Sequence, residues 1–202
     1  MTSNKEIQES RIRGYFIEAA KETLKGEGLK AVNVRTVSER AGYSFATLYN
    51  YFKDLNELIF ICVKDFMDEC ETFTREQSMK FAPGRDGLKA RMKACINYFV
   101  QYPGIFELFY VERMNDIGAR QPTARMIYEF TDRLGAEDIA VMIKNGEIDT
   151  EVAENIRLNL RNTIPGLLLL YNNRLQPSDY KEFISMAERQ IDLSLTLCIK
   201  NP

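Results

Sequence analysis

Residues 33–52 read NVRTVSERAGYSFATLYNYF, and the order of capping residues, turn residues and aromatics in this stretch decides the fold. Asn33 is a residue type whose side chain accepts a bond from an otherwise unpaired helix N–H. Val32 and Val37 stand one before it and four after it, where an apolar pair fixes the direction of chain entry. Gly42 stops that helix, because glycine adopts the left-handed conformation that ends helices at little cost. Two residues on, Ser44 is again a capping residue, with Tyr43 and Leu48 in the two staple positions. The chain is therefore re-aimed sharply and locked, which is a helix-turn-helix pattern.

Working outward, helical periodicity continues in both directions, and strand-like alternation is hard to find. A first helix over about 4–26 is announced by Ser3 with Glu6, carries Phe16, Ile17, Ala20 and Leu24 on one face, and ends at Gly26 and Gly28. Asp54 with Glu57 opens a long fourth helix to about residue 80, which is expected to link two domains. After the break at Ala82–Gly87, a fifth helix places Leu88, Met92, Cys95, Ile96 and Phe99 in register. Pro103 suits the first turn of a sixth helix, running through Met114 to Gly118. A seventh covers Pro122 to about Lys144. The eighth runs from Asp149 or Thr150 to about Leu175, with a bend expected near Arg161 because Pro165 cannot sit in a straight helix interior. Ser178 is the expected cap of the ninth, whose stripe is Tyr180, Ile184, Ala187, Ile191, Leu195 and Cys198. The pattern specifies an all-α chain of about nine helices, with a helix-turn-helix domain over 1–53 and a larger helical domain over 54–202.

Composition narrows the function. At 202 residues, 45% hydrophobic and 28% charged, the chain can bury a sizeable core and is neither disordered nor fibrous. The complete lack of histidine excludes imidazole zinc sites, ExxH di-iron sites and Ser/His or Cys/His catalysis together. Cys62, Cys70, Cys95 and Cys198 show no CxxC pairing and read as free thiols of a reducing compartment. Asp65, Asp68 and Glu69 lie on adjacent turns, but a solvated helix face explains them more simply than a divalent cation, so no metal and no cofactor are expected. Net charge is −2, divided unevenly: residues 1–53 carry +3 and the remainder −5. A weakly basic head on an acidic body suits a protein that touches nucleic acid at one end. The N-terminal residues MTSNKEIQESRIR lack the apolar run of a secretory signal. Gly166–Tyr171, the longest apolar run, is far short of the roughly 20 residues that span a bilayer. A cytoplasmic protein without membrane contact is expected.

The succession Ala19-Ala20, Leu24, Gly28, Val34, Val37, Ala41-Gly42-Tyr43-Ser44, Thr47-Leu48-Tyr49, Tyr51-Phe52 and Leu58 resembles the TetR family of bacterial transcriptional regulators over about the first quarter of the chain. The resemblance implies a homodimer that reads palindromic double-stranded operator DNA and answers to a small-molecule effector, with no enzymatic activity. By position in that motif, Arg35, beside Thr36 on the second helix, reaches guanine, and an arginine there bonds O6 and N7 together. Phe45 and Ala46 open the recognition helix near thymine methyls. Tyr49 and Asn50 face base edges or the backbone, and Ser44, Thr47, Tyr51 and Lys53 contact phosphate. Leu48 and Phe52 belong to the core. Leu55 stands where the family usually has a phosphate-contacting lysine, and no Lys or Arg lies between Ser44 and Phe52, so a shallow salt dependence is expected.

Phe66, Tyr98, Phe99, Tyr102, Phe106, Phe109, Tyr110, Met114, Met126 and Phe130 suit either a plain hydrophobic core or an apolar effector pocket, and the family resemblance points to the pocket. Ile164, Leu168, Tyr171, Ile184, Ala187, Ile191 and Leu195 are expected to pair with their copies in a four-helix bundle across a two-fold axis. Two rival readings remain: a helical binding module whose DNA-binding head has decayed, and a small helical enzyme using Glu107, Glu112 or Arg113.

Overall fold

The computed structural model describes residues 4–112 and 121–197, and among these every regular element is helical. The chain divides into two compact units. The first holds residues up to 67 together with 102–124, and the second holds 68–101 and 125 onward.

In the first unit, α1 (Asn4–Glu27) buries Phe16, Ile17, Ala19, Ala20, Thr23 and Leu24, while none of its residues before Phe16 is buried. A short 3-10 turn, Leu29–Ala31, leads to α2 (Val34–Ala41). Asn33 Oδ1 accepts from the Thr36 amide at 2.9 Å, and the staple residues Val32 and Val37 are both buried. Gly42, at φ 78° and ψ 23°, is left-handed, a conformation that an L side chain rarely adopts. α3 is a single turn, Phe45–Leu48, capped by Ser44 Oγ accepting from the Thr47 amide at 3.2 Å. Leu48 is fully buried and anchors it.

α4 (Leu55–Ser78) begins as its capping pattern requires: Asp54 Oδ1 accepts from the Glu57 amide at 2.8 Å, and Glu57 reaches back to the Lys53 amide at 2.7 Å. It contributes to the first unit as far as Met67 and to the second beyond it. α6 (Pro103–Tyr110) packs on α1 within the first unit.

In the second unit, α5 (Arg85–Gln101) touches α8 (Phe130–Lys144), α9 (Thr150–Asn172) and α10 (Tyr180–Leu197), so it is the centre of the bundle. That position explains why Leu88, Met92, Cys95, Ile96 and Phe99 are all about fully buried. Asp138 on α8 is fully buried as well. It accepts from Arg91 Nε at 2.8 Å and from the Gly84 amide at 3.2 Å. A Cβ on Gly87 would lie 2.4 Å from its carboxylate, so only glycine fits there. This bonded carboxylate fastens the start of α5 to α8.

Three boundaries differ from those read from the sequence. The expected helix over 122–144 is broken at Glu129 into α7 (Gln121–Tyr128) and α8, giving ten α-helices among the described residues. The cap of α10 is Asp179, which accepts from the Glu182 amide at 2.9 Å, and not Ser178. α6 stops at Tyr110; Met114, Arg113 and Gly118 lie outside the described residues, as do Ser3 and Cys198. α9 runs through Pro165 as one helix.

Candidate nucleic-acid interface

The turn between α2 and α3 decides which side chains the head presents. With Leu48 and Phe52 buried and Phe16 meeting both Tyr43 and Phe52, at ring distances of 5.7 and 6.2 Å, the three-helix unit has a closed aromatic core. The side chains left outside are Phe45 at 65% exposure and Tyr49 at 52%, with Ser44, Ala46 and Asn50 also exposed. Asn50 follows α3 in a tight turn, its amide donating to the Thr47 carbonyl at 3.1 Å. Thr47 is half-buried, with its hydroxyl 2.9 Å from Ser44 Oγ. Tyr51 is half-buried, 6.4 Å from the Phe16 ring, so it supports the core as much as it offers a hydroxyl. Lys53 is exposed, and Thr36 is half-buried at the start of α2. Eight of the ten residues expected at DNA thus lie in the turn, α3 and the residues that follow it, and two on the first turn of α2.

Arg35 is placed less simply than its motif position implies. Its side chain is 87% exposed, but Nε donates to Glu39 Oε1 at 2.8 Å, one helical turn on. That hydrogen bond to Glu39 raises the Arg35 pKa above its ordinary value. Glu39 was not read as part of the site, although the i, i+4 spacing from Arg35 is a standard helical ion-pair signal. Arg40 is similarly engaged with Glu27. Between α2 and α3 lies a concave notch of about 510 Å³ lined by Val34, Arg35, Ser38, Glu39, Tyr43, Ser44 and Phe45.

The residues proposed from sequence for an effector pocket fall into two groups. Phe66, Tyr102, Phe106, Phe109 and Tyr110 belong to the first unit, where Phe106 and Phe109 pack on Tyr110 at 5.4 and 6.1 Å. Tyr98, Phe99, Met126 and Phe130 belong to the second, where Tyr98 meets Phe73 and Phe99, each at 5.7 Å. Phe66, Tyr98, Phe99, Phe106, Phe109 and Phe130 are at most 4% exposed, so they are packed as core. A cavity of about 450 Å³ in the second unit is lined by other residues, among them Lys80, Phe81, Lys93 and Glu188.

The stripe expected to meet a second copy is largely spent inside the chain. Ile164, Leu168, Ala187, Ile191 and Leu195 are 0–1% exposed, because α9 and α10 use this face against α5 and each other. Ile184 and Tyr171 are half-buried, Tyr171 stacked on Phe183 at 4.1 Å. The large apolar side chains that these helices leave in water are Leu158, Leu169 and Leu170 on α9 and Tyr180 and Leu193 on α10, each 43–46% exposed.

Residues 16–60 match the family model of bacterial regulatory proteins, tetR family. The whole chain is similar in fold to the transcriptional regulator FadR from Bacillus subtilis in complex with stearoyl-CoA, at 16% identity over 91% of this chain and 97% of that one, with a TM-score of 0.71. It is similar too to a TetR family transcription regulator from Marinobacter aquaeolei VT8, at 18% identity over 94% of this chain and 96% of that one, TM-score 0.63. A third likeness is to MexZ of Pseudomonas aeruginosa, a repressor responsible for antibiotic resistance, at 17% identity over 96% and 97% of the two chains, TM-score 0.66.

Proposed function

We propose, from the match of residues 16–60 to the family model of bacterial regulatory proteins, tetR family, that this chain is a ligand-responsive repressor of that family that binds palindromic operator DNA as a homodimer and is released by a small apolar or amphipathic effector. The observation that carries the reading is the exposed set Ser44, Phe45, Ala46, Tyr49 and Asn50, held outward by the buried anchors Leu48 and Phe52. A short helix presented in this way enters the major groove with its first residues near base edges. In this reading Ser44, Thr47, Tyr51 and Lys53 position the backbone, Phe45, Ala46, Tyr49 and Asn50 meet bases, and Arg35 reaches guanine when it leaves Glu39.

Two heads are needed to read a palindrome, and the outer face of α9 and α10 with Leu158, Leu169, Leu170 and Leu193 is the surface we assign to the second copy. An effector bound in the larger domain acts through α4, which contributes to both compact units. It changes the spacing of two recognition elements that must match half-sites about 34–36 Å apart. The stearoyl-CoA bound by the FadR of similar fold supports an amphipathic effector, and the repressor role of MexZ supports the direction of control.

A band shift with duplex from the chain's own upstream region tests this reading, comparing wild type with Tyr49→Ala and Asn50→Ala. Both residues are exposed, so neither change disturbs the fold. Retarded duplex for wild type and at least tenfold weaker binding for the variants, about 1.4 kcal/mol, is expected. Equal binding by all three removes these residues from the interface. Mass spectrometry of small molecules that co-purify with the full chain identifies the effector.

A further inference from the structure

Tyr98, Phe99 and Phe130 are packed as core in the second unit, yet the same unit keeps open a cavity of about 450 Å³ against the end of α4, α5 and α10. That volume lies within the range of about 300–1,000 Å³ that small organic ligands occupy. Its floor is on α5, where Ala90 and Ala94 stand one turn apart on the same face. They leave two methyl groups where longer side chains would fill the space. Phe81, 41% exposed, supplies an aromatic wall.

The charges around this floor select the occupant. Lys93 is paired with Glu188, and Lys89 with Asp192 at 2.7 Å, so both ammonium groups are offset by carboxylates of α10. Asp86 lies in the first turn of α5, where the helix N-terminus offsets its charge. Lys80 is the cation left over. Its ammonium lies 5.4 Å from the centre of the Phe81 ring, and no carboxylate pairs with it among the described residues.

An uncommitted ammonium beside a flat apolar floor fits a flat apolar body that carries one negative charge. We propose that this cavity binds a small aromatic carboxylate, its ring over Ala90 and Ala94 and its carboxylate on Lys80, and that this ligand is the effector, a role that rests on the regulator reading above. Such an occupant touches Gln77 near the end of α4, and α4 is the helix that contributes to both compact units.

The test titrates naphthoate against the full chain, with naphthamide as the uncharged control of the same shape. Saturable binding of naphthoate is expected. The amide should bind wild type about three- to fivefold more weakly, the contribution of an exposed ion pair, and Lys80→Gln should lose the same factor for naphthoate. Ala90→Phe, which fills the floor, should lower naphthoate affinity about tenfold or more. Lys80 is exposed and Ala90 borders open space, so both variants keep the wild-type thermal melt.

No saturable binding of naphthoate up to millimolar concentration overturns the inference. Equal binding by wild type, Lys80→Gln and Ala90→Phe overturns it too, since the ligand then sits elsewhere. Naphthoate that binds through both residues yet leaves the operator band shift unchanged overturns its role as effector. A chain that binds naphthoate in this way but retards no duplex overturns the DNA-binding reading and leaves the carboxylate site standing.

Discussion

Replacing Glu39 with Gln tests whether the Arg35–Glu39 pair suppresses the head's electrostatic grip on DNA. The guanidinium and carboxylate meet at 2.8 Å on consecutive turns of α2, with side chains 87% and 65% exposed. Exposed pairs of this kind contribute little to folding, so Glu39→Gln should leave thermal stability unchanged. Its effect on binding is larger. The change frees the Arg35 cation, which then offsets phosphate charge beside the guanine it reads, and removes a negative charge beside the duplex. Each newly neutralised phosphate steepens the dependence of log K on log salt by about 0.9. With two heads on one operator the slope should steepen by about 1.8. Between 50 and 200 mM salt the variant then loses about 12-fold more affinity than wild type, having bound more tightly at the low-salt end. Fluorescence anisotropy titrations at four or five salt concentrations measure both slopes. Identical slopes would refute the assignment of Arg35 and Glu39 to the DNA-facing side.

Asp138→Ala leaves the Gly84 amide unpaired and Arg91 with only the more distant Glu137 carboxylate, at 3.7 Å. Breaking such a buried pair costs about 3–5 kcal/mol and should lower the melting temperature by roughly 6–20 °C for a chain of this size; a drop under 2 °C would contradict the placement of Asp138 as a fastening group. Leu193→Glu, on the exposed side of α10, should weaken self-association tenfold or more by sedimentation without lowering stability. Leu168→Ala, on the buried side of α9, should instead cost about 2–5 kcal/mol of stability. The reverse pattern would exchange the two faces. Burial pushes the Cys62 thiol up to about 12, and burial beside Cys95 pushes the Cys70 thiol up as well. A thiol raised in the folded state stays protonated, so its contribution to stability is intact below the ordinary thiol range of about pH 8.5 and fades only as pH rises above it. Cys62, Cys70 and Cys95 are all buried and should not react with a thiol reagent at pH 8 until denaturant is added.

The head was legible because its signals are local. Asn33, Gly42, Ser44 and Asp54 each act within four residues, through bonds that the sequence order alone specifies, and the structure places all four as caps or turns. Asp179 was misjudged for Ser178 because both are good capping residues one position apart, and only the backbone decides between them. The second unit was legible in helix content but not in which face is inner. Residues 167–170 are four consecutive leucines, so periodicity cannot say that Leu168 turns inward and Leu169 and Leu170 outward. That depends on α5 lying against α9, a long-range contact that no short spacing encodes. In the same way, the aromatic residues of an effector pocket and those of a core are chemically alike, and Phe66, Phe99 and Phe130 are here packed as core. Glu39 carries a local signal in its i, i+4 spacing from Arg35, but spacing alone does not say whether an exposed arginine pairs along its helix or faces outward.

Sedimentation velocity of the full chain mixed with labelled duplex from its own upstream region, at 50 mM salt, tests the central claim most directly. Two chains bound per duplex, at a site whose half-sites are one helical turn apart, is the expected result. Duplex that sediments free at all protein concentrations, or that carries a single chain at saturation, would contradict a dimeric reader of palindromic DNA.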